Sequence, residues 1–361
     1  MAKMSRRDCL IRSLTALGGA AAASSAWVRT AQAGRQGMKL AMILSPGQPK
    51  QARLIRQIGL THVVAGVSGA LQKVPRSQYV DTLGDIQKEF DQYGLKIDCV
   101  ESHPVPAEKI KLGIDGRDEE LENYVAAIEA LGKVGIPVLC YNFMAGLGWY
   151  RTSSDYPERG GALTTLFDLK EAEKEGLTKW GRVSEEKMWD NITYFLKAVI
   201  PVAEKANVKM ALHPDDPPLP VLRGIARIVT SGENYRRIMK IVPSPVNGVT
   251  YCQANFVAMG EDVKALAKEW LAQKKIFFVH FRDIEGQRGY FRETFHDNGP
   301  TDMAGMLKIY HEGGFDGPIR PDHAPTIGDE SNENPGYAVG GKVLAIGYMR
   351  GILEGLNVPY E

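Results

Sequence analysis

The stretch EELENYVAAIEALGKVGIPVLCYNF, residues 119–143, contains the structural unit that decides the fold class. Its first part carries apolar residues three or four positions apart, at Leu121, Val125, Ile128 and Leu131. This spacing predicts an amphipathic helix over Glu119–Val134, and Gly135 stands where such a helix should end. The short apolar run that follows predicts a buried strand, Val138–Phe143.

The same helix and strand pattern recurs from Met38 to the end of the chain. The predicted strands are Leu40–Leu44, His62–Val67, Lys96–Glu101, Val138–Phe143, Lys209–His213, Gly248–Cys252, Ile276–Arg282 and Pro318–Asp322. The predicted helices are Lys50–Ile58, Tyr79–Tyr93, Glu119–Val134, Ser184–Lys205, Glu233–Ile241, Glu261–Ala272, Asp302–Glu312 and Gly341–Leu353.

Strands that alternate with helices imply a parallel sheet with crossover helices. Eight such units favour a closed barrel, and the alternative is an open, doubly wound sheet. The segment after the first strand, Ser45–Pro49, does not fit the glycine-rich phosphate loop expected of many open sheets. We therefore predict a single α/β domain over residues 38–361, a (β/α)8 TIM barrel.

Three long segments interrupt the regular pattern, after strands 4, 7 and 8: Gly146–Arg182, Ile284–Pro300 and Ala324–Gly340. All three follow the carboxyl ends of strands, where the active sites of these barrels are built. Long loops in a compact domain commonly form lids or the walls of a site. We therefore expect these three segments to surround the functional site.

Four potential metal ligands lie at the ends of four successive predicted strands: His213, Cys252, His280 and Asp322. Each of them alone would be interpreted as a structural residue, but in a closed barrel their strand ends converge on one rim. Imidazole and thiolate ligands disfavour Mg²⁺ and Ca²⁺, which leaves Mn²⁺, Fe²⁺, Co²⁺ or Zn²⁺. A catalytic site must keep an open position, which favours a five- or six-coordinate ion over closed tetrahedral zinc.

Several segments around these ligands resemble the mannonate dehydratase family. They are His213–Pro218 (HPDDPP), Cys252-Gln253, His280–Asp283 (HFRD), Phe295–Asp297 (FHD), Arg320–His323 (RPDH), Glu101-Ser102, Cys140–Met144 (CYNFM), Gly336-Tyr337 and Ala345–Tyr348 (AIGY). The resemblance runs from about Met38 to the C-terminus, and the HPDDPP and RPDH segments are its most specific parts.

This resemblance implies a xylose-isomerase-like barrel that converts D-mannonate to 2-keto-3-deoxy-D-gluconate and water. It implies Mn²⁺ or Fe²⁺ as the cofactor, bound by His213, Cys252, His280 and Asp322. It also implies catalytic roles for His323 and Tyr337, and it leaves open which of the two is the acid and which is the base.

Four further residues are candidates for binding the carboxylate and hydroxyl groups of a sugar acid: Arg282, Arg320, Asn142 and Arg151. Arginine suits this task because its planar fork donates two parallel hydrogen bonds to a carboxylate. The segment Trp149–Thr152 departs from the family's Trp-Thr-Arg-Thr at Tyr150. Because this loop should cover the substrate, the reaction class is better determined than the exact substrate.

Residues 1–33 have the features of an export signal. Arg6 and Arg7 precede an apolar run, Leu14–Trp27, and Ala31-Gln32-Ala33 resembles a cleavage site. The adjacent arginines indicate a twin-arginine signal and a periplasmic or otherwise exported protein. If the segment is instead a disordered extension, we expect a cytoplasmic protein. The apolar run is short and rich in Gly and Ala, which argues against stable membrane insertion.

The composition sets limits on the possible partners. The chain has 361 residues, a formal net charge of +1 and 44% hydrophobic residues, as expected of an ordinary globular protein. The small net charge gives no reason to expect nucleic acid as a partner. The family resemblance implies a small-molecule sugar acid as the partner. Of the four cysteines, Cys9 lies in the predicted export signal, and the remaining three are an odd number without paired spacing, which does not predict a disulfide framework. The sequence leaves open whether the protein forms a homo-oligomer.

Two other functions are compatible with a barrel of this kind. One is a metal-dependent sugar isomerase or epimerase, against which the ligand Cys252 argues because such sites are commonly rich in carboxylates. The other is an exported sugar-acid binding protein without catalysis, against which the presence of His323 and Tyr337 argues.

Overall fold

The computed structural model describes residues 37–361, in which eight parallel strands close into a barrel. Counting barrel strands only, β1–β8 are Lys39–Leu44, His62–Ala65, Lys96–Glu101, Val138–Asn142, Lys209–His213, Asn247–Cys252, Ile276–Phe281 and Pro318–Pro321. Each strand pairs with its neighbours in chain order, and β8 closes the barrel against β1. The predicted (β/α)8 TIM barrel is confirmed. The signal peptide predicted for residues 1–33 lies outside the described residues.

Helices surround the barrel. The α-helices are Pro49–Gln57, Ser68–Leu71, Tyr79–Asp91, Glu108–Leu112, Arg117–Val134, Leu169–Lys174, Glu185–Ala206, Gly232–Ile241, Gln253–Met259, Val263–Ala272, Met303–Glu312 and Val339–Gly355. Short 3₁₀ turns span Arg76–Gln78 and Arg159–Gly161. None of the helices within residues 37–361 is both long and apolar enough to cross a lipid bilayer.

The prediction of one helix over Glu261–Ala272 was wrong at its start. The Asp262 side chain accepts hydrogen bonds from the backbone N–H groups of Lys264 and Ala265, so the helix begins at Val263. A separate helix, Gln253–Met259, directly follows β6 and was not predicted. Gly260 ends it in the left-handed conformation, with φ of 80°, a conformation that glycine adopts without strain.

The two faces of the barrel strands have different neighbours. Outward residues such as Leu212 and Val279 belong to the large apolar cluster between sheet and helices. Inward residues form a smaller buried cluster that includes Cys140, Ala211 and Phe278. Because successive side chains on a strand alternate in direction, His213 and His280 follow Ala211 and Phe278 on the inward face. The alternation therefore points the last inward residue of these strands into the barrel mouth.

The long segments after β4 and β7 were predicted as loops, but they contain a second sheet. Its four antiparallel strands are, in spatial order, Ile284–Gln287, Tyr290–Glu293, Leu163–Asp168 and Ser153–Pro157. The segment after β8 joins this sheet, since Thr326 and Leu163 exchange two backbone hydrogen bonds of 2.8 and 3.0 Å. The three segments predicted to surround the site are therefore tied to one another by backbone pairing.

Candidate active site

Four side chains predicted as metal ligands meet at the carboxyl ends of the barrel strands. His213 ends β5, Cys252 ends β6, His280 is the penultimate residue of β7, and Asp322 directly follows β8. The strand register pairs Cys252 with His280, which brings these two to the same level of the barrel. One potential ligand atom from each of the four lies within 4.8 Å of the others. The structure thus brings the four together, and their role as ligands remains a prediction.

The two imidazoles face each other across the centre of this cluster. His213 Nδ1 donates a hydrogen bond to the Pro214 carbonyl oxygen at 2.7 Å, which leaves Nε2 as the nitrogen available to bind a cation. That Nε2 lies 3.2 Å from His280 Nδ1, and Asp322 Oδ2 lies 3.3 Å from the same His280 nitrogen. The unshared electron pairs of these two nitrogens and this oxygen converge, and at such distances they repel one another unless a proton or a cation lies between them.

Cys252 is fully buried and its thiol is biased toward the thiolate. Burial alone would raise the pKa of this thiol, but the Arg282 guanidinium and the neighbouring imidazoles of His213 and His280 lower it to about 6. The thiolate is the form of cysteine that binds metals. Two imidazoles, a thiolate and a carboxylate therefore fit a divalent transition metal, and they do not fit Mg²⁺ or Ca²⁺.

A cavity of about 160 Å³ lies beside the candidate ligands and is lined by three of them, His213, His280 and Asp322. Both predicted catalytic residues, His323 and Tyr337, line it, and His323 Nε2 lies 3.1 Å from the Tyr337 hydroxyl. The Trp149 ring, from the segment after β4, lies 4.8 Å from the His323 ring, measured between centroids, and lines the same cavity. Two ionisable groups in hydrogen-bond contact thus face the same space as the candidate ligands.

Glu293 orients His323 and was not identified from the sequence. It lies at the end of the Tyr290–Glu293 strand, and its buried carboxylate accepts a hydrogen bond from His323 Nδ1 at 3.0 Å. This contact assigns the proton of a neutral imidazole to Nδ1 and leaves Nε2 free to accept a proton. Nothing in the local sequence marks Glu293, because the contact is formed by a hairpin whose pairing is set by distant segments.

The three arginines predicted to bind substrate are buried in ion pairs with protein carboxylates. Arg282 Nη1 donates to both oxygens of Glu293 at 2.9 and 3.0 Å, and its Nη2 donates to Asp216 at 2.7 Å. Arg151 donates to the same two carboxylates, to Asp216 at 2.5 Å and to Glu293 at 2.6 Å. Their contact with a substrate remains a prediction.

Arg320 forms a second group of ion pairs across the barrel mouth. Its Nε donates to Glu101 at 2.7 Å, and its Nη2 lies 2.7 Å from Asp322 Oδ1. The fourth predicted substrate-binding residue, Asn142, lines the cavity itself, at a position that the register pairs with His213. Of the four, Asn142 is therefore the residue that the structure places against the cavity.

Asp216 and Glu101 are two further residues of the site whose roles were not assigned from the sequence. Both lie in segments that carry the family resemblance: Asp216 follows His213 by three residues, and Glu101 ends β3. Both line the cavity and accept hydrogen bonds from arginines. A carboxylate within a few residues of a candidate ligand was the signal that could have identified Asp216.

Comparisons with known proteins agree with this geometry. The family model described as "D-mannonate dehydratase (UxuA)" matches residues 38–179 and 169–360. Mannonate dehydratase 1 of Halalkalibacterium halodurans is 35% identical over 342 residues, which cover 83% of this chain and 93% of that protein. The crystal structure of mannonate dehydratase from Streptococcus suis serotype 2 matches with a TM-score of 0.78 at 32% identity, covering 89% of this chain and 93% of that one.

More distant structures share the barrel alone. The 3-keto-D-glucoside 4-epimerase YcjR of E. coli matches with a TM-score of 0.58 at 13% identity, covering 87% of this chain and 99% of that one. At that identity the likeness concerns the fold and not the reaction. The family model and the relatives above 30% identity span most of the chain, and so the chain belongs to the D-mannonate dehydratase family.

Proposed function

We propose that this protein dehydrates a sugar acid and that its substrate is D-mannonate, which yields 2-keto-3-deoxy-D-gluconate and water. Membership of the family supports the reaction class. The observation that carries the proposal is the hydrogen bond between His323 and Tyr337 in the cavity beside His213, Cys252, His280 and Asp322. A pair of proton-transfer groups next to a cation site is what the reaction requires.

The reaction removes the C2 proton and the C3 hydroxyl group of the substrate. The C2 proton is a weak acid, because the neighbouring carboxylate already carries a negative charge. A bound Mn²⁺ or Fe²⁺ would supply the positive charge that stabilises the enolate-like transition state. We propose His213, Cys252, His280 and Asp322 as the residues that hold this ion.

We propose His323 as the base and Tyr337 as the acid. The Glu293 carboxylate accepts a hydrogen bond from Nδ1–H of His323, so the unprotonated Nε2 can take the proton from C2. The Tyr337 hydroxyl gives its proton to the departing C3 hydroxyl, which leaves as water. At 3.1 Å, His323 Nε2 can then return the C2 proton to the Tyr337 oxygen, and both residues regain their starting state. The enol that remains tautomerises to the 2-keto acid.

We propose that the three arginines act through the carboxylates they hold. Arg151 and Arg282 fix Asp216 and Glu293, and Arg320 fixes Glu101 and Asp322. Each guanidinium thereby keeps a carboxylate of the cavity wall in one orientation. Direct hydrogen bonds to the substrate are then left to groups that line the cavity, among them Asn142.

The experiment that tests this function is product analysis. The protein is loaded with Mn²⁺ or Fe²⁺ and incubated with a panel of hexonates and hexuronates, and 2-keto-3-deoxy acid is measured by the semicarbazide or thiobarbiturate assay. We expect this product from D-mannonate. An isomeric sugar would instead indicate an isomerase or epimerase, and tight binding without any product would indicate a binding protein.

A variant separates the catalytic role of His323 from metal binding. His323→Asn should abolish turnover, because the base is lost, while the metal content stays near that of the wild type. Retained turnover in this variant would exclude His323 as the base. Metal analysis of the wild-type protein after expression in defined medium identifies which divalent ion it carries.

We further propose that residues 1–33 direct export by the twin-arginine route. The support is the sequence order of the paired residues Arg6 and Arg7, the apolar run and the Ala31-Gln32-Ala33 site. Replacing both arginines by lysine should keep the protein in the cytoplasmic fraction, whereas the wild type should appear, shortened, in the exported fraction. Equal distribution of the two proteins would contradict the proposal.

A further inference from the structure

Lys342 is a buried lysine beside the cavity that the proposed mechanism does not use. It lies in the first turn of the helix Val339–Gly355 and is 2% exposed. Its ammonium group lies 4.3 Å from the centroid of the Tyr337 ring, while Tyr337 itself is 37% exposed and covers it. A buried ammonium group is costly unless a partner compensates its charge.

The carboxylates near Lys342 are occupied by other groups. Glu101 and Asp322 are both ion-paired with Arg320. The Glu330 carboxylate accepts hydrogen bonds from the backbone N–H groups of Val339 and Gly340 at the start of the helix. Within residues 37–361, Lys342 forms no ion pair of its own. Burial, assisted by the Arg320 charge, lowers the pKa of Lys342 to about 7, so its side chain is an ammonium group below that pH and increasingly a neutral amine above it.

The helix that carries Lys342 is held closely against the segment that carries His323. A Cβ atom on Gly341 would lie 2.2 Å from the Pro325 carbonyl oxygen, so the two backbones are in direct contact there. Gly336, with φ of 79°, also packs against His323, since a Cβ on it would be 3.3 Å from His323 Cβ. Lys342, Tyr337 and His323 are therefore parts of one closely packed unit.

We propose that Lys342 is a positioning residue for Tyr337: its ammonium group, packed on the ring, holds the Tyr337 hydroxyl against His323 and favours the negative charge left on that ring when its proton is given to the leaving group. A cation over an aromatic face is attracted by the ring, and the attraction is strongest where water is excluded. The stabilisation of negative charge on the Tyr337 ring rests on the proposed dehydratase function. The orientation of the ring by Lys342 does not depend on that function.

The test compares Lys342→Met, which keeps the apolar stem and removes the charge, with Lys342→Arg, which keeps the charge. A desolvated cation–π contact is worth enough to change a rate on the order of tenfold. We expect Lys342→Met to lower kcat by about that factor, with KM within about twofold of the wild type. Lys342→Arg should recover most of kcat, and the metal content of both variants should match that of the wild type.

A double-mutant cycle separates this role from general packing. In a Tyr337→Phe background, the hydroxyl that Lys342 positions is absent, so adding Lys342→Met should lower kcat by less than about twofold. A loss of the same size in both backgrounds would overturn the proposal, as would unchanged kcat in the single Lys342→Met variant.

A crystal structure of Lys342→Met gives a second result that does not require turnover. We expect the Tyr337 ring to turn away, so that its hydroxyl leaves hydrogen-bond range of His323 Nε2, and we expect Lys342→Arg to restore the contact. If the wild type converts no sugar acid, the proposed function fails and this structural comparison decides the positioning role. An unmoved Tyr337 would then overturn it.

Discussion

The substitution Glu293→Gln tests whether a buried carboxylate controls the proposed base. Glu293 Oε1 lies 3.0 Å from His323 Nδ1, and a glutamine can keep this hydrogen bond through its own carbonyl oxygen. It removes the negative charge that stabilises the imidazolium once His323 has taken a proton. A hydrogen bond to a charged group is worth about 1.5–3 kcal/mol, so we expect kcat to fall by about 10- to 100-fold.

The same substitution should lower stability, because two guanidiniums each lose one of their carboxylate partners. Glu293 accepts from Arg282 Nη1 at 2.9 and 3.0 Å and from Arg151 Nη2 at 2.6 Å, all in the buried interior. The glutamine amide places an N–H₂ donor against the Arg282 donors. Breaking a buried pair costs about 3–5 kcal/mol, so we expect the free energy of unfolding to fall by about 3 kcal/mol.

The stability difference should depend on pH in a defined direction. Burial alone would raise the pKa of Glu293, but Arg282, His323 and Arg151 outweigh it and hold that pKa well below its usual range. A group with a depressed pKa contributes stability above its unfolded value, about 4.3, and loses it as the pH falls through the folded value. The stability difference between wild type and variant should therefore be full at pH 7 and shrink below about pH 4.

The assay is the initial rate of 2-keto-3-deoxy acid formation, with metal content and urea unfolding measured on the same samples. Glu285→Gln is the matched control, since it lies on the same hairpin with its side chain 60% exposed and pairs with Arg292 at the surface. It should change kcat and stability little, because exposed pairs contribute about 0–1 kcal/mol. Turnover of metal-loaded Glu293→Gln within about threefold of wild type would refute the role of Glu293.

Three other substitutions test separate parts of the structure. Cys252→Ser should lower the affinity for the metal by at least about tenfold in a competition titration, because it removes a thiolate donor; unchanged affinity would exclude Cys252 as a ligand. Asp98→Asn should lower the free energy of unfolding by about 3 kcal/mol while kcat is unchanged, since the buried Asp98 pairs with His62 and Lys39 away from the cavity. Gly341→Ala should lower the free energy of unfolding by about 1–3 kcal/mol, because the new Cβ meets the Pro325 carbonyl oxygen. The control Gly347→Ala lies in the same helix with nothing within 4 Å of a Cβ, and it should raise the free energy of unfolding by about 0.5–1 kcal/mol. Equal effects of the two substitutions in urea unfolding would contradict this packing.

The barrel and the candidate ligands could be predicted because both follow from local patterns. Strand and helix periodicities can be detected in short windows of the sequence, and the observed ends of β3 and β5 agree with the predicted ones. The period of two along a strand then determines which residues face inward. His213, Cys252 and His280 lie at inward positions near strand ends, so closing the barrel brings them together without any further information.

The second sheet and Glu293 could not be predicted in the same way, because they depend on pairing between distant segments. Phe291 pairs with Phe167, more than a hundred residues earlier in the chain, and both rings are buried in a small cluster of their own. Neither segment is a convincing strand when it is considered alone, since a two-stranded hairpin is barely stable without an apolar surface to cover. The position of Glu293 follows from this pairing, and so does its contact with His323.

The ion pairs of the three arginines indicate a structural role that charge alone does not reveal. The cavity wall contains the carboxylates of Glu101, Asp216 and Asp322, and Glu293 lies just behind it. Buried carboxylates this close together would repel one another and take up protons without counter-charges. Arg151, Arg282 and Arg320 supply those charges through short ion pairs: Arg151 and Arg320 each bridge two of the carboxylates, and Arg282 bridges three.

The ion pairs between these arginines and carboxylates orient the carboxylates of the site. Each bridging guanidinium is planar and holds its carboxylates in fixed directions, so Asp322 and Glu293 are oriented before any substrate enters. The oriented Glu293 carboxylate holds the His323 ring in place through their hydrogen bond, and the oriented Asp322 carboxylate would coordinate a bound cation. The proton-transfer pair and the candidate cation site thus share Arg282 as a common support, which donates to Glu293 and lies 2.8 Å from Asp322. Removing that one guanidinium should disturb both, whereas removing Glu293 should disturb the proton transfer and leave the cation site intact.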